Sequence, residues 1–146
     1  MTELFPQAEE KGVGIIVRLP LASGLLSGKF DAKTTFAEDD HRNFNRNGDA
    51  FNVGETFAGL PFETGVDLVE QIKNTVLPNN LTMVQLTLRW ILDHKAVSTI
   101  IPGASSPKQV ISNAEVSDLQ ALSPETHAAL TELYKTHIHK HIRGGY

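Results

Sequence analysis

Two short apolar runs constrain this chain most: "VGIIVRL" at residues 13–19 and "AVSTII" at 96–101. The first is rich in β-branched side chains and too apolar for a surface strand; the second reads as a short buried strand. Strands of this kind are covered on both faces, as in a parallel sheet. Helical sequence lies between them. From Thr64, the residues Val66, Val69, Ile72 and Val76 fall near one helical face, and Pro78 stops the run. Thr82 opens a second helix with Gln85 three residues on, a capping-box spacing, and Val84, Leu88, Ile91 and Leu92 form its stripe. Strands alternating with helices specify βα units and a parallel sheet.

The flanks fit the same scheme. Residues 2–11 read as a short helix capped by Thr2, with Leu4, Phe5 and Ala8 on one face and Gly12 as its end. After the second strand, Ser106-Pro107-Lys108-Gln109 is a helix start, with Ser as N-cap, Pro at the first position and Gln at the third. Ser123-Pro124 repeats the device, and Leu130, Leu133, Tyr134 and Ile138 follow at helical spacing. Residues 31–63 lack clear periodicity. Asn47-Gly48 marks a turn there, and Phe36, Phe44, Phe51 and Phe57 predict an ordered loop, because a solvated linker has no use for aromatics.

Composition narrows the function classes. The 146 residues have the length of one domain, read here as 1–146. A net charge of −4 argues against nucleic acid as a partner, which wants a basic face. The absence of cysteine excludes disulfides and thiolate metal sites and fits a reducing, cytoplasmic setting. No apolar run approaches the ~18 residues of a membrane span, so no membrane partner is expected. The "HIHKH" run places only His137 and His141 on one helical face, with no carboxylate near in sequence, so no metal site is assigned. "SGLLSGK" is one residue short of a phosphate loop and has Phe30 in place of its Ser or Thr. Trp90 reads as core, and Asp39, Asp40, Glu55 and Glu63 as solvated loop acids.

The most informative stretch is "STIIPGASSPKQVISN", residues 98–113. In parallel sheets, ligand chemistry sits beyond the carboxyl ends of the strands. Gly103 lies at such an end, where a missing Cβ lets a ligand approach the backbone. The helix opening at Ser106 offers unpaired N–H groups suited to a phosphate, with Ser105, Ser106 and Lys108 as further donors. A tight strand-to-helix turn with an ordinary cap would read the same way.

The two strand ends together resemble a known family. "RLPLASGLLSGKF" and "IIPGASSPKQVISN" resemble the last two strand-end motifs of the aldo-keto reductases, and "TMVQLTLRWIL" resembles the helix between them. The resemblance covers essentially the whole chain. It implies an α/β fold, the C-terminal part of a (β/α)8 TIM barrel, with two parallel strands, covering helices and an incomplete barrel. It implies NADP(H) as cofactor and a small aldehyde or ketone as substrate. Leu19, Pro20, Leu21 and Ala22 then fall along the pyrophosphate and ribose path, and Lys29 on the family's lysine near the cofactor. Gly103, Ser105, Gln109 and Asn113 match positions around the adenosine end and its 2′-phosphate. The 31–63 loop matches the segment that folds over the cofactor, with Arg42 or Arg46 as phosphate or substrate contacts. Two departures stand out: Leu19 replaces a frequent Ser, and Ser105 and Ser106 stand where many members carry Arg or Lys, so Lys108 is the substitute for the 2′-phosphate.

The family's catalytic Asp, Tyr, Lys and His come from the first half of the barrel. Tyr134 and Tyr146 follow no strand, so no catalytic residue is assigned. A whole barrel takes roughly 250 residues. Met1 falls inside what resembles the helix before the seventh strand. The expectation is therefore a C-terminal piece of a reductase, inactive alone, with bare apolar strand faces and edges open to self-association or to an N-terminal fragment. The alternatives are a non-catalytic nucleotide-binding or subunit module, or a truncated remnant.

Overall fold

The computed structural model describes residues 1, 3–46 and 56–141. The cap expected at Thr2, the Asn47-Gly48 turn, Phe51, Glu55 and Tyr146 lie outside the described residues. In chain order the elements are α1 (Leu4–Lys11), β1 (Ile15–Val17), a 3-10 segment (Ala22–Ser27), α2 (His41–Phe44), a 3-10 turn (Phe57–Gly59), α3 (Phe62–Thr75), α4 (Met83–Leu92), β2 (Val97–Ile100), α5 (Pro107–Ala114), a 3-10 turn (Glu115–Asp118) and α6 (Pro124–Leu133). A π-helical turn, Tyr134–Ile138, and a 3-10 turn, His139–His141, extend α6.

β1 and β2 pair in parallel, with Ile15 opposite Val97, Ile16 opposite Thr99 and Val17 opposite Ile100; one irregularity falls between Ile15 and Ile16. The helix boundaries follow their caps. Thr82 Oγ1 accepts from Gln85 N at 3.2 Å while Thr82 N donates to Gln85 Oε1 at 2.9 Å, the complete capping box. Ser106 and Ser123 accept from the N–H groups of Gln109 and Thr126, each ahead of a proline at the helix start. α3 begins at Phe62, two residues before the periodicity expected from Thr64.

The core lies between α3, α4 and the irregular segments rather than on the sheet. Leu25, Phe57, Leu60, Phe62, Val66, Leu68, Val69, Ile72, Met83 and Leu86 are buried together. The loop aromatics explain their presence: Phe30, Phe36, Phe57 and Phe62 pack with ring centroids 5.0–6.0 Å apart. The described parts of the 31–63 loop are thus ordered by aromatic contact, although Phe44 is exposed. Trp90 packs against this core.

The strand composition suits cover on both faces, and, as expected of two strands that cannot close a barrel, their apolar faces are bare: Ile16 is 64% exposed, and Val13, Leu19 and Ile101 are exposed too. Val110 and Ile111 on α5 and Leu4 on α1 are likewise bare, so the α1 face predicted from Leu4, Phe5 and Ala8 buries only Ala8. The cause is the strand count, since two strands with helices on one side leave the other side to solvent. One expectation needs correction: of the acids read as solvated, Asp40 is half-buried and paired with Arg42, whereas Asp39 is exposed and Glu63, which accepts from Arg46 Nη2 at 2.6 Å, is exposed as well.

The C-terminal half is tied together at Asp93, whose side chain is 5% exposed. Its carboxylate accepts from Arg89 Nε, Leu122 N and His127 Nε2, each at 2.9 Å. Burial alone would raise its pKa; the three N–H groups outweigh burial and hold it below 3.8. A carboxylate depressed in this way adds stability above its unfolded value, and that stability is lost as pH falls through the lower folded value. Asp93→Ala is expected to cost about 3 kcal/mol in urea unfolding, because it leaves the half-buried Arg89 charge without its carboxylate and Leu122 N and His127 Nε2 without their acceptor. The wild-type chain should lose stability below pH 3.8 more steeply than Asp93→Asn; parallel pH profiles for the two would contradict this role.

Candidate functional site

The parallel register sets the site. Ile101 N donates to Val17 O at 3.0 Å, so the chain leaves both strands at the same end, with Arg18–Leu19 beside Ile101–Pro102. The two stretches singled out in the sequence, 19–29 and 103–113, therefore start side by side at the carboxyl end of the sheet.

The first stretch is a strained turn. Leu19 (φ 52°), Ala22 (φ 47°) and Ser23 (φ 56°) occupy the left-handed region that L residues avoid. Gly24 follows at φ 92°, and a Cβ there would lie 3.1 Å from Phe30 Cζ. Pro20 is buried, Leu21 and Ala22 are half-buried, and Leu19 and Lys29 are exposed. Ala22 packs on the core, which anchors the turn.

The second stretch is an open turn. A Cβ built on Gly103 meets nothing within 4 Å, so a ligand could reach this backbone. Ser105, Ser106 and Lys108 are exposed around the start of α5. Gln109 and Asn113 lie one helical turn apart and both reach this turn. Gln109 Oε1 accepts from Ser105 N at 2.6 Å and from Ser105 Oγ at 3.0 Å, and Asn113 Nδ2 donates to Gly103 O at 3.4 Å. Their carboxamides hold the turn in shape, a contact that helix periodicity alone did not reveal.

The loop beyond the first motif lies against it. Arg42 forks onto the Asp40 carboxylate, and its guanidinium stacks 4.6 Å over the Phe36 ring and 5.8 Å over the Phe30 ring. That pairing pulls the Asp40 pKa down to about 2. Arg46, bonded to Glu63, stacks 4.2 Å over Phe62. Both arginines are thus paired and laid on aromatic rings. One loop side chain that meets the motif is His41, whose Nε2 is 3.2 Å from Ser23 Oγ. The sequence reading passed over it; the signal available was its place directly after an Asp able to cap a short helix. Among the described residues no group of three or more His, Asp or Glu could hold a metal. No helix among them is long and apolar enough to cross a membrane.

Comparison with known proteins decides the family. The profile described as "Aldo/keto reductase family" matches residues 1–135. The chain belongs to the aldo-keto reductase family. It is 31% identical over 130 residues to "Aldo-keto reductase str7" of Strobilurus tenacellus, covering 89% of this chain and 36% of that protein. It is 26% identical over 131 residues to the L-glyceraldehyde 3-phosphate reductase of Escherichia coli O157:H7, covering 88% of this chain and 36% of that protein. The structure of glycerol dehydrogenase AKR11B4 from Gluconobacter oxydans superposes with a TM-score of 0.74 at 24% identity, over 99% of this chain and 41% of that one. The holo form of aldo-keto reductase AKR11C1 from Bacillus halodurans gives a TM-score of 0.57 at 26% identity, over 90% and 37%. The fold is accordingly part of a (β/α)8 barrel, and the chain spans about 36–41% of the length of these relatives.

The two glycines separate folding from binding. Gly103→Val should leave the urea midpoint within the range of a neutral surface change, about 0.5 kcal/mol, because its side chain enters open space. It should nevertheless weaken any nucleotide that approaches this backbone. Gly24→Ala should lower stability by about 1 kcal/mol or more, from φ 92° and the Phe30 contact. Equal effects of the two on stability would contradict the assignment.

Proposed function

We propose that this chain is the nucleotide-binding, C-terminal part of an NADP(H)-dependent aldo-keto reductase acting on a small aldehyde or ketone. The observation that carries the reading is the placement of both family strand-end motifs side by side, at the carboxyl ends of two paired parallel strands. The residues present suit the cofactor: an open backbone at Gly103, an exposed turn with hydroxyl and ammonium donors, and a start of α5 that favours anions. Leu19, Pro20, Leu21, Ala22 and Lys29 would follow the pyrophosphate and ribose. Gly103, Ser105, Gln109 and Asn113 would hold the adenosine end, and Lys108 would stand in for the Arg or Lys that many members place beside the 2′-phosphate, where this chain has Ser105 and Ser106, favouring NADP(H) over NAD(H). When bound, the nicotinamide supplies the hydride.

Proton transfer to the carbonyl oxygen needs a group that this chain does not place. Tyr134 follows α6 rather than a strand, and it stands on the helical cover. Turnover is therefore proposed to require the remaining βα units of the barrel, attached to this chain or supplied separately. Their docking surface would include the exposed apolar strand residues Ile16 and Ile101. A cytoplasmic setting fits the lack of cysteine.

The test is a thermal melt of the purified chain with each nucleotide. NADPH at a hundredfold excess over Kd should add about 2.7 kcal/mol, with a smaller effect from NADH at the same concentration. Carbonyl-dependent NADPH oxidation should be undetectable for the chain alone and should appear when the N-terminal part of a relative's barrel is added. A melt insensitive to both nucleotides would overturn the binding assignment, and turnover by the chain alone would overturn its dependence on further units.

A further inference from the structure

We infer that His41 is a positioning residue: its imidazole braces the strained Ala22–Gly24 turn in the shape that faces the nucleotide. What the turn faces rests on the function proposed above; the brace itself rests on geometry.

Ala22 and Ser23 are consecutive non-glycine residues in the left-handed region, at φ 47° and 56°. Such residues persist only where the surroundings over-determine them. Some of that constraint is internal, since Leu21 O accepts from Gly24 N at 2.9 Å and from Leu26 N at 3.1 Å. A further constraint reaches the turn through a line of contacts from the core. Phe36 packs edge-on against Phe30 and Phe62, and the Arg42 guanidinium lies on the Phe36 ring. Arg42 holds the Asp40 carboxylate, which also accepts from Arg42 N at 2.9 Å and so caps α2. Asp40 Oδ1 stands 3.5 Å from His41 Nδ1, on one side of the ring. On the other side, His41 Nε2 stands 3.2 Å from Ser23 Oγ. The imidazole therefore spans from a carboxylate fixed on the aromatic floor to the hydroxyl of the strained residue.

This placement distinguishes a brace from a passive surface contact. Ser23 needs outside support because it carries a Cβ at φ 56°, whereas glycine would adopt that conformation freely. The role of His41 should accordingly depend on whether residue 23 is Ser or Gly.

A double-mutant cycle on the 146-residue chain tests this, with Ser23→Gly, His41→Ala and the pair. One readout needs no nucleotide: hydrogen exchange of the Gly24 and Leu26 amides. The other is NADPH affinity. In the Ser23 background, His41→Ala should speed exchange at both amides and weaken NADPH about fivefold, the worth of one hydrogen bond. His41→Gln, which keeps a hydrogen-bonding side chain, should recover part of both effects. In the Ser23→Gly background, His41→Ala should change neither readout by more than roughly twofold. Equal effects in the two backgrounds, or unchanged exchange at Gly24 and Leu26, would overturn the brace. If the wild-type chain binds no NADPH, the proposed function fails, and the exchange comparison alone decides for or against the brace.

Discussion

Asp93 is the point on which the C-terminal half of the molecule hangs. One buried carboxylate joins the end of α4 to the backbone at Leu122 and to His127 on α6. Arg89, which pairs with it, also donates from Nη1 to the carbonyls of Val116 and Leu119, at 3.4 and 3.3 Å. The turn after α5 is fixed to α4 in this way, and α4 leads directly into β2. The position of the Gly103–Asn113 turn relative to the sheet thus depends on a charge cluster on the opposite side of α5. The tie continues toward the N-terminus through aromatic rings. His94 packs edge-on between Trp90 and Phe5, at 4.6 and 5.5 Å, and its Nδ1 donates to Trp90 O at 2.8 Å. Phe5 belongs to α1, which precedes β1. Both strands therefore receive their placement from side chains gathered at the end of α4.

The distribution of burial carries a second lesson. Among the described residues, the large apolar side chains most fully removed from solvent are Phe57, Phe62, Leu86, Leu88 and Val116, all on helices or in the turns between them. The sheet contributes far less. In a closed barrel the strands are the innermost layer, and here Ile16 at their centre is 64% exposed. Apolar area left in water disfavours this state at about 25 cal/mol per Å². Among the described residues the sheet has two strands, so each strand has one edge that the other does not pair. What the chain does hold, the helical layer with its strand-end turns, is the part that packs without the rest of a barrel.

Sequence reading and structure agree where a local rule decides the outcome. The Thr82 capping box, the Ser-Pro starts at 106 and 123 and the αL cap at Gly12 are each set by a few neighbouring residues, and all four stand as expected. Parallel pairing followed from the alternation of helices and strands. Contacts between residues far apart in sequence were not legible. Asp93 and His127 are 34 residues apart and belong to different helices, and nothing in either segment marks the partner. His41 and Ser23 are separated by 18 residues of aperiodic sequence. The bare strand faces were legible from the strand count, because two parallel strands cannot close on themselves. Composition says what a strand needs around it and cannot say which polypeptide provides it.

The strained residues show why the motif at 19–24 is written as it is. Left-handed backbone at Leu19, Ala22 and Ser23 runs against local propensity, and a loop chosen for stability would place glycine there. A comparable pair, Phe57 and Ala58 at φ 53° and 54°, lies in the short 3-10 turn that packs against the motif's own 3-10 segment. Two irregular segments thus hold each other in conformations that neither would adopt alone. The buried side chains of Leu25 and Phe57 belong to the same cluster and supply the apolar contact between them. Strain persists in such a place because the buried neighbours on the core side, Leu25 and Phe57 among them, over-determine the backbone. The shape of the turn at the carboxyl end of β1 is therefore a property of the packed loop as a whole, and substitutions that loosen the aromatic floor under it act on the turn from a distance.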